Sequence, residues 1–462
     1  MEAIFSWSSL LAMPFWMLMA FFPRARLTER LMRGVIGPAL PALLYLALVL
    51  PNLGDILPMI VRPDLEGVAS LLGTPAGATI AWAHFLAFDL FVGRWIYLDS
   101  RRRGLNPIVA APILFLTLVL GPVGLVTYLA VRSASLRLRN DPAVRAFLAR
   151  LWDTSPALLA TAAAHVALLG VFLLGIALDD RTLLGEPVWL KPTKFAASIA
   201  LYTFTLAWML SFVQGRHRAV RAIGWVTAIT MAIEIVIIGA QAGRGVRSHF
   251  NVATAMDTAL FSVMGAAIAT ATLAGLATLV LLFRQRMEDR ALAWALRLGL
   301  LVSILGASLG GMMTRPRAEQ LEQLNQGLPA YAGAHAVGVP DGGGGLPVVG
   351  WSTEGGDLRV PHFAGLHAMQ LLPLVAVWLA RGHRGRRFDA RQRLRLVAAA
   401  SIGYGGTVAL LAWQALRGEP LTAPGTLTLA SFAALAVIVA GVSLSARAGR
   451  RAHQPLAPAL SR

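Results

Sequence analysis

Long runs without charge constrain this chain before anything else does. Positions 108–131, 195–213 and 259–283 carry no Asp, Glu, Lys or Arg and are too long for helices of an ordinary soluble domain. A helix needs about 20 apolar residues to cross the hydrocarbon of a bilayer. Only helices and closed barrels satisfy their backbone groups there. The runs lack the alternation of barrel strands, so helices are expected. Composition agrees: 56% of residues are hydrophobic and 14% charged, against about 25% charged in soluble domains. Apolar segments fall near 5–22, 35–51, 80–98, 107–131, 157–178, 194–213, 222–241, 257–283, 295–312, 362–380, 394–416 and 421–443. The pattern predicts an all-α fold, a polytopic integral membrane helical bundle of 11–12 spans.

The net charge is +18, from 41 Lys and Arg against 23 Asp and Glu. In a soluble protein this excess would point to nucleic acid. Here it sits in short connectors between apolar runs, the usual enrichment on the cytoplasmic side, and no nucleic-acid partner is expected. There is no cysteine, which excludes disulfides and thiolate metal ligands. The first apolar run lacks a basic leader and a small-residue cleavage site, and reads as a retained helix. Arg216, Arg218 and Arg221, then Arg284, Arg286 and Arg290, then 381–393 and the tail all mark one side, with the C-terminus cytoplasmic. Connectors 179–193, 242–256, 313–361 and 417–420 fall opposite. The first quarter fits less simply. Connectors 23–34 and 99–106 and the Arg-rich segment 132–156 all want the basic side, yet one crossing by 107–131 would separate the last two. Either 107–131 is bent or re-entrant at the run GPVG (121–124), since proline removes a helix hydrogen bond, or one connector departs from the charge rule.

Four parts follow: a membrane module over 1–132, a basic amphipathic linker over 133–156, an eight-span module over 157–445 and a basic tail over 446–462. A stripe of small residues (Gly265, Ala269, Thr272, Gly275) is typical of close helix packing in membranes. No Walker loop, dinucleotide fingerprint or serine elbow is present.

Ionisable groups inside spans are costly and point to function. The run 84–95 reads HFLAFDLFVGRW and places His84, Asp89 and Arg94 at spacings of five. At about 100° per residue, neighbours in this set lie about 140° apart, so they cannot all face one partner. As a functional set, Asp89 and His84 handle protons or a polar ligand; in the plainer alternative Arg94 reaches the interface and Asp89 pairs with another span.

This run, the following Asp99 and the GPVG run resemble the ABA-deficient-four-like membrane proteins over roughly residues 1–132. Plant members are associated with neoxanthin formation from violaxanthin, an isomerisation of an epoxycarotenoid. The resemblance implies a lipid-soluble isoprenoid or carotenoid-like substrate and places His84, Asp89 and Arg94 at the positions of the family's polar motif. Residues 157–380 resemble a group of uncharacterised bacterial membrane proteins through KPTKF (191–195), SHFN (248–251) and GDLRVPHFAGLH (356–367). That likeness implies a bacterial inner membrane and no activity.

In the second module the alternation of sides gathers one polar set at the face opposite the basic connectors. Lys191 and Lys194 open a span, and Lys194, Ser198, Tyr202 and Thr205 form a stripe down it. Glu234 and Gln241 share a helix face, and Arg244, Arg247, His249, Asn251 and Asp257 follow. Asp357, Arg359, His362, His367 and Gln370 surround the start of a later span. As a pocket, Lys191, Lys194, Glu234, Gln241, Arg244, Asn251, Asp257, Asp357, Arg359 and Gln370 bind substrate. His249, His362 and His367, with Glu234, have the donor types for a metal ion, and haem is a weaker option. Arg244, Arg247 and Arg359 also suit an anionic lipid head group. The plainer alternative is that all are interfacial caps and charge pairs. His165 is a ligand or a helix-to-helix hydrogen bond; His217, His383 and His453 sit among basic residues, and His335 sits in a loop.

Function follows in three classes. The first is a membrane enzyme, such as an isomerase, acting on a lipid-soluble isoprenoid or carotenoid-like molecule, with membrane lipid and a lipophilic small molecule as partners. The second is a transporter or lipid-binding protein, which many spans with midplane charges also suit. The third is a metal- or haem-binding redox protein.

Overall fold

The computed structural model describes residues 1–54, 56–57, 64–326, 331–347, 349–381 and 388–448. His383, His453 and the arginines at 384, 386, 387, 450 and 451 lie outside them. The chain is an all-α helical bundle. Among the described residues, ten helices are long and apolar enough to cross a membrane, and twelve if each of two bent pairs counts as one span. The pairs are Arg26–Arg33 with Ile36–Asn52, bent by 46°, and Arg359–Leu366 with Ala368–Arg381, bent by 41°. These twelve match the twelve apolar segments of the sequence. Large apolar side chains such as Val171, Val236, Leu273 and Val437 are exposed on them, as suits contact with lipid tails.

The chain divides into two compact units, 1–147 and 148–462. The first holds α1 (Glu2–Ser8), α2 (Met13–Phe21), α3 (Arg26–Arg33), α4 (Ile36–Val49), α5 (Leu65–Leu72), α6 (Pro75–Arg102) and α7 (Pro107–Asn140). The division falls inside α8 (Pro142–Thr154), within the basic segment read as a linker. Helix starts follow side-chain chemistry. At α6 the Thr74 hydroxyl accepts from Gly77 N–H and Pro75 occupies the first turn, where its missing N–H costs nothing. The core of this unit packs Trp16, Met19, Met32, Leu90, Ile96, Tyr97, Ile113, Leu114 and Tyr128.

The conflict over 107–131 is settled by α7. Length and apolarity alone would pass 109–136 as a crossing helix. Leu120, however, leaves helical geometry (φ −136°, ψ 52°), and the chain turns back on itself there. A Cβ placed on Gly124 would lie 2.4 Å from both the nitrogen and the Cα of Thr117. Seven residues of straight helix would separate those positions by about 10 Å. The second arm then runs along α6. Gly121 abuts Asp89, and seven residues later Tyr128 donates a 2.7 Å hydrogen bond to Asp99, near the end of α6 from which α7 departs. Arg132 follows at 3.1 Å from the same carboxylate. The segment is a helical hairpin that enters and leaves at one face, so Arg101, Arg102, Arg103 and Arg132 share that face without breaking the charge rule.

The second unit contains α9 (Pro156–Leu178), a hairpin of β1 (Thr182–Leu183) and β2 (Glu186–Pro187), α10 (Leu190–Leu210), α11 (His217–Arg244), α12 (Ala255–Arg284), α13 (Arg290–Met313) and α14 (Ala318–Asn325). A second strand pair, β3 (Ala336–Val337) with β4 (Gly356–Asp357), precedes α15 (Arg359–Leu366), α16 (Ala368–Arg381), α17 (Ala390–Leu416) and α18 (Thr426–Ala448). Leu184 and Gly185 both have positive φ in the two-residue β1–β2 turn, as such tight hairpins require. Asp389 and Gln392 form a capping box at α17. Leu206, Leu210, Leu282, Leu296 and Met369 centre the core. The small-residue stripe on α12 packs at one end, where Gly275 is buried beside Ile304 and Tyr202, and its other end is a correction. Gly265 and Ala269 are exposed, and nothing lies within 4 Å of a Cβ at Gly265. Close backbone approach occurs instead where Gly306 of α13 meets Gly365 of α15, a Cβ on Gly365 falling 2.5 Å from the Gly306 Cα. Spacing puts small residues on one face, but partner geometry decides which face is used.

Candidate functional site

In the first unit, α6 carries three polar groups and the structure separates them. Arg94 donates through Nε to Met32 O at 2.6 Å and Gly34 O at 2.9 Å, and through Nη2 to Arg33 O at 3.2 Å. Those carbonyls end α3, where no further helical N–H reaches them. Arg94 therefore closes a helix terminus and does not join the other two, as its turn away from Asp89 requires.

Asp89 lies half-way along α6, half-buried. Its Oδ1 sits 2.1 Å from the position a Cβ on Gly121 would take, so the glycine at the hairpin apex is what leaves room for the carboxyl. Pro122 follows and lacks an N–H, and the freshly started helical arm directs its positive end toward this region. His84 stacks on Phe88 with ring centroids 4.6 Å apart and meets Tyr45 edge-on at 5.4 Å. It remains within electrostatic reach of Asp89. Carboxyl and imidazole thus share the middle of α6, beside an apolar exterior formed by Phe85, Phe88 and Phe91.

Ten residues on, Asp99 organises a second cluster that spacing did not reveal. It accepts 2.7 Å hydrogen bonds from Tyr128 and from Arg103 Nε. Arg132 Nε is close enough for an ion pair but too misaligned to hydrogen-bond, and its guanidinium lies over Trp95. These contacts clamp the returning arm of the hairpin. Asp99 was visible in the sequence beside the polar motif, with Arg103 one turn on; Tyr128 and Arg132, 29 and 33 residues away, came into view only with the fold.

The second unit brings part of the expected polar set together. Glu234 is 1% exposed, and among the described residues neither carboxyl oxygen has a hydrogen-bond partner. His249 Nε2 stands 3.6 Å from Glu234 Oε1. Lys191 lies within electrostatic reach of Glu234, Arg247 and Arg359. His335, from the long loop, and His362 join the surroundings of His249. Phe195 and Phe261 flank the His249 ring at 5.4 Å and 6.5 Å. Burial, reinforced by the Lys191 charge, holds the His249 imidazole well below its ordinary pKa. Burial lowers His335 also, although its hydrogen bond with Asp341 opposes the shift. Asp341 in turn is held below the carboxylate range, because His335 and two backbone N–H groups outweigh its burial.

Other members are engaged in holding the fold. Asp257 accepts from Gln241 at 2.9 Å, Arg244 at 2.7 Å and Thr254 at 2.8 Å. Asn251 ties Arg247 O to Ala253 N–H within its own loop. Asp357 accepts from Ser352 N–H, Arg359 N–H and the Arg359 guanidinium, which also donates to Gly350 O. Lys194 pairs with Glu186 at 3.4 Å. Gln370 donates to Thr205 at 3.2 Å. Ser198 is exposed, so the stripe on α10 is polar only in part toward the interior. His362 contacts Gly306 O at 2.8 Å, whereas His367 packs on Phe363 one turn away. Among the described residues, no three His, Asp or Glu side chains form a group that could hold a metal ion, so His249, His362 and His367 do not converge. His165 contacts Thr161 O in its own helix.

The folded-back α7 and the polar run of α6 lie inside a stretch with known relatives. Residues 3–128 match the model of the family described as ABA DEFICIENT 4-like. The first unit resembles that family. Over 138 residues the chain is 26% identical to Protein ABA DEFICIENT 4, chloroplastic, of Arabidopsis thaliana. The aligned stretch is 29% of this chain and 61% of that relative's length. His84, Asp89, Asp99 and Gly121 all lie within the ABA DEFICIENT 4-like stretch. No solved structure matches the chain.

Proposed function

We propose that the first unit is a membrane-embedded acid–base site for a lipid-soluble, isoprenoid or carotenoid-like substrate, and that it isomerises an epoxide. One observation carries this most: the Asp89 carboxyl stands at mid-span, against the Gly121 backbone of a re-entrant hairpin, with His84 of the same helix in electrostatic reach. The likeness to a protein named for abscisic-acid deficiency supports a carotenoid-related role. A polyene slides between lipid and the Phe85–Phe88–Phe91 side without leaving an apolar medium. In the proposed reaction the acid form of Asp89 gives its proton to the epoxide oxygen as one C–O bond breaks. The carbon cation loses a proton from a neighbouring carbon, and the Asp89 carboxylate receives it. Atoms and charge balance, and the acid is restored, so the product is an isomer. His84 tunes and orients the carboxyl; placement of both groups within reach of a bound substrate is what such proton transfer needs.

The test is expression of the full chain in cells that accumulate an epoxycarotenoid, followed by pigment chromatography. The wild-type chain should form an isomer, and Asp89→Asn and His84→Ala should abolish it while membrane insertion, read by protein abundance in the membrane fraction, stays unchanged. An identical pigment profile in wild type and both variants would remove the proposal.

A further inference from the structure

The second unit contains a buried acid that accepts no hydrogen bond among the described residues. Glu234 sits in α11 with both oxygens buried and without a donor. A buried polar group lacking its hydrogen bond costs stability, so such a group usually serves something the protein itself does not contain. Its nearest titratable neighbour, His249 Nε2, is 3.6 Å away, too far to bond directly and near enough for one small group to contact both. The other ring nitrogen of His249 is taken up by the Ser248 hydroxyl at 3.1 Å, which leaves Nε2 facing Glu234. The imidazole is 22% exposed, so it forms the rim of the site and Glu234 its floor. Phe195 and Phe261 stand beside the ring, and Phe195 continues into an apolar cluster with Ile237, Ile238, Leu260 and Met264.

We infer that Glu234 and His249 form a binding site for the hydroxyl group of a lipophilic alcohol. A hydroxyl is both donor and acceptor, so it completes the pair whichever of the two carries the proton. The aromatic and aliphatic wall takes the apolar body, and Lys191 contributes a positive charge nearby that favours the polar end of the ligand. A divalent metal is the poorer occupant. Among the described residues no group of three His, Asp or Glu side chains could hold a metal ion, and Lys191 repels a cation. This site is independent of the Asp89 proposal, since every residue in it belongs to the second unit.

The experiment uses the purified full chain in detergent, in an Asp89→Asn background so that the first unit does not contribute. Thermal unfolding is followed by tryptophan fluorescence with farnesol and, at equal concentration, with farnesene, which shares the chain and lacks the hydroxyl. Farnesol should raise the midpoint and farnesene should not. Glu234→Met should fold at least as well without ligand, because a buried unpaired group is removed, yet weaken farnesol binding about tenfold or more, the effect of losing a hydrogen bond to a charged group. His249→Phe keeps the ring packing and should lose the same preference for alcohol. Equal shifts with farnesol and farnesene would overturn the inference. So would full farnesol binding by Glu234→Met, or a shift with zinc that depends on Glu234 while farnesol gives none. The pigment assay of the first unit reads none of these outcomes.

Discussion

Replacement of Gly124 by alanine tests the hairpin that places Asp89. The new methyl would lie 2.2 Å from Thr117 Oγ1 and 2.4 Å from the Thr117 nitrogen and Cα. Ordinary van der Waals contact begins near 3.4 Å, so the two arms must part by about 1 Å. Two of the three atoms are backbone and cannot rotate away. Overpacking of this kind costs roughly 1–3 kcal/mol, and the upper end is expected here. Gly170 and Gly265 provide the control, because nothing lies within 4 Å of a Cβ at either. In those helices alanine should be neutral or stabilise by up to about 1 kcal/mol. Unfolding in mixed micelles, titrated with SDS and read by tryptophan fluorescence, measures all three. The chain lacks cysteine, so Arg102→Cys and Ala134→Cys, both at exposed positions, are unique labels for the same geometry. A membrane-impermeant thiol reagent should reach both from one side. Labelling from opposite sides, or a Gly124→Ala protein as stable as wild type, would refute a re-entrant α7.

Two further outcomes follow from the same contacts. Arg94→Ala should cost about 2–4 kcal/mol in that unfolding assay, because three carbonyls at the end of α3 lose charged donors, and Asp89→Asn should cost far less; equal costs would mean that Arg94 is not a fold-closing residue. Stability should also fall as pH drops below about 6.5, the histidine pKa of the unfolded chain. His249 and His335 have lowered pKa values when folded, so the unfolded chain binds protons first and the slope reaches about 1.4 kcal/mol per pH unit for each histidine. His249→Phe should flatten the curve between pH 7.5 and 5.5, and an unchanged slope would count against its buried, uncharged state.

The apolar segments were legible because apolar length is a local property: eleven reappear as candidate crossing helices or bent pairs, and the twelfth, 107–131, as the folded-back α7. The hairpin was half legible. The run GPVG and the misplaced basic segment 132–156 both pointed to it, but only the contact of Gly124 with Thr117 decides it, and no periodicity encodes that contact. Site residues divided along the same line. Sequence marked Asp89 and Glu234 as costly charges within spans, and they are the two least compensated. It could not tell how Arg94, Asp257 and Asp357 are satisfied: Arg94 by three carbonyls, Asp257 by Arg244 across a loop, and Asp357 by Arg359 two residues on, none of them an opposite charge at helical spacing. His335, set aside as a loop residue, arrives beside His249 through the pairing of Asn251 with Tyr331, a long-range bridge invisible to any local pattern.

A charge inside a membrane span points to function only after the protein's own groups have been counted against it. Arg94 has three carbonyls, and Asp257 has an arginine, an amide and a hydroxyl. Removing either breaks the fold whatever the substrate. Among the described residues Glu234 accepts no hydrogen bond, with only the charge of Lys191 and the His249 imidazole nearby, and Asp89 has a glycine where a side chain would otherwise stand. A buried acid without a hydrogen bond costs stability. In the two proposals each acid meets a ligand or a proton that the folded chain does not supply, and each unit carries one such acid with a histidine in electrostatic reach.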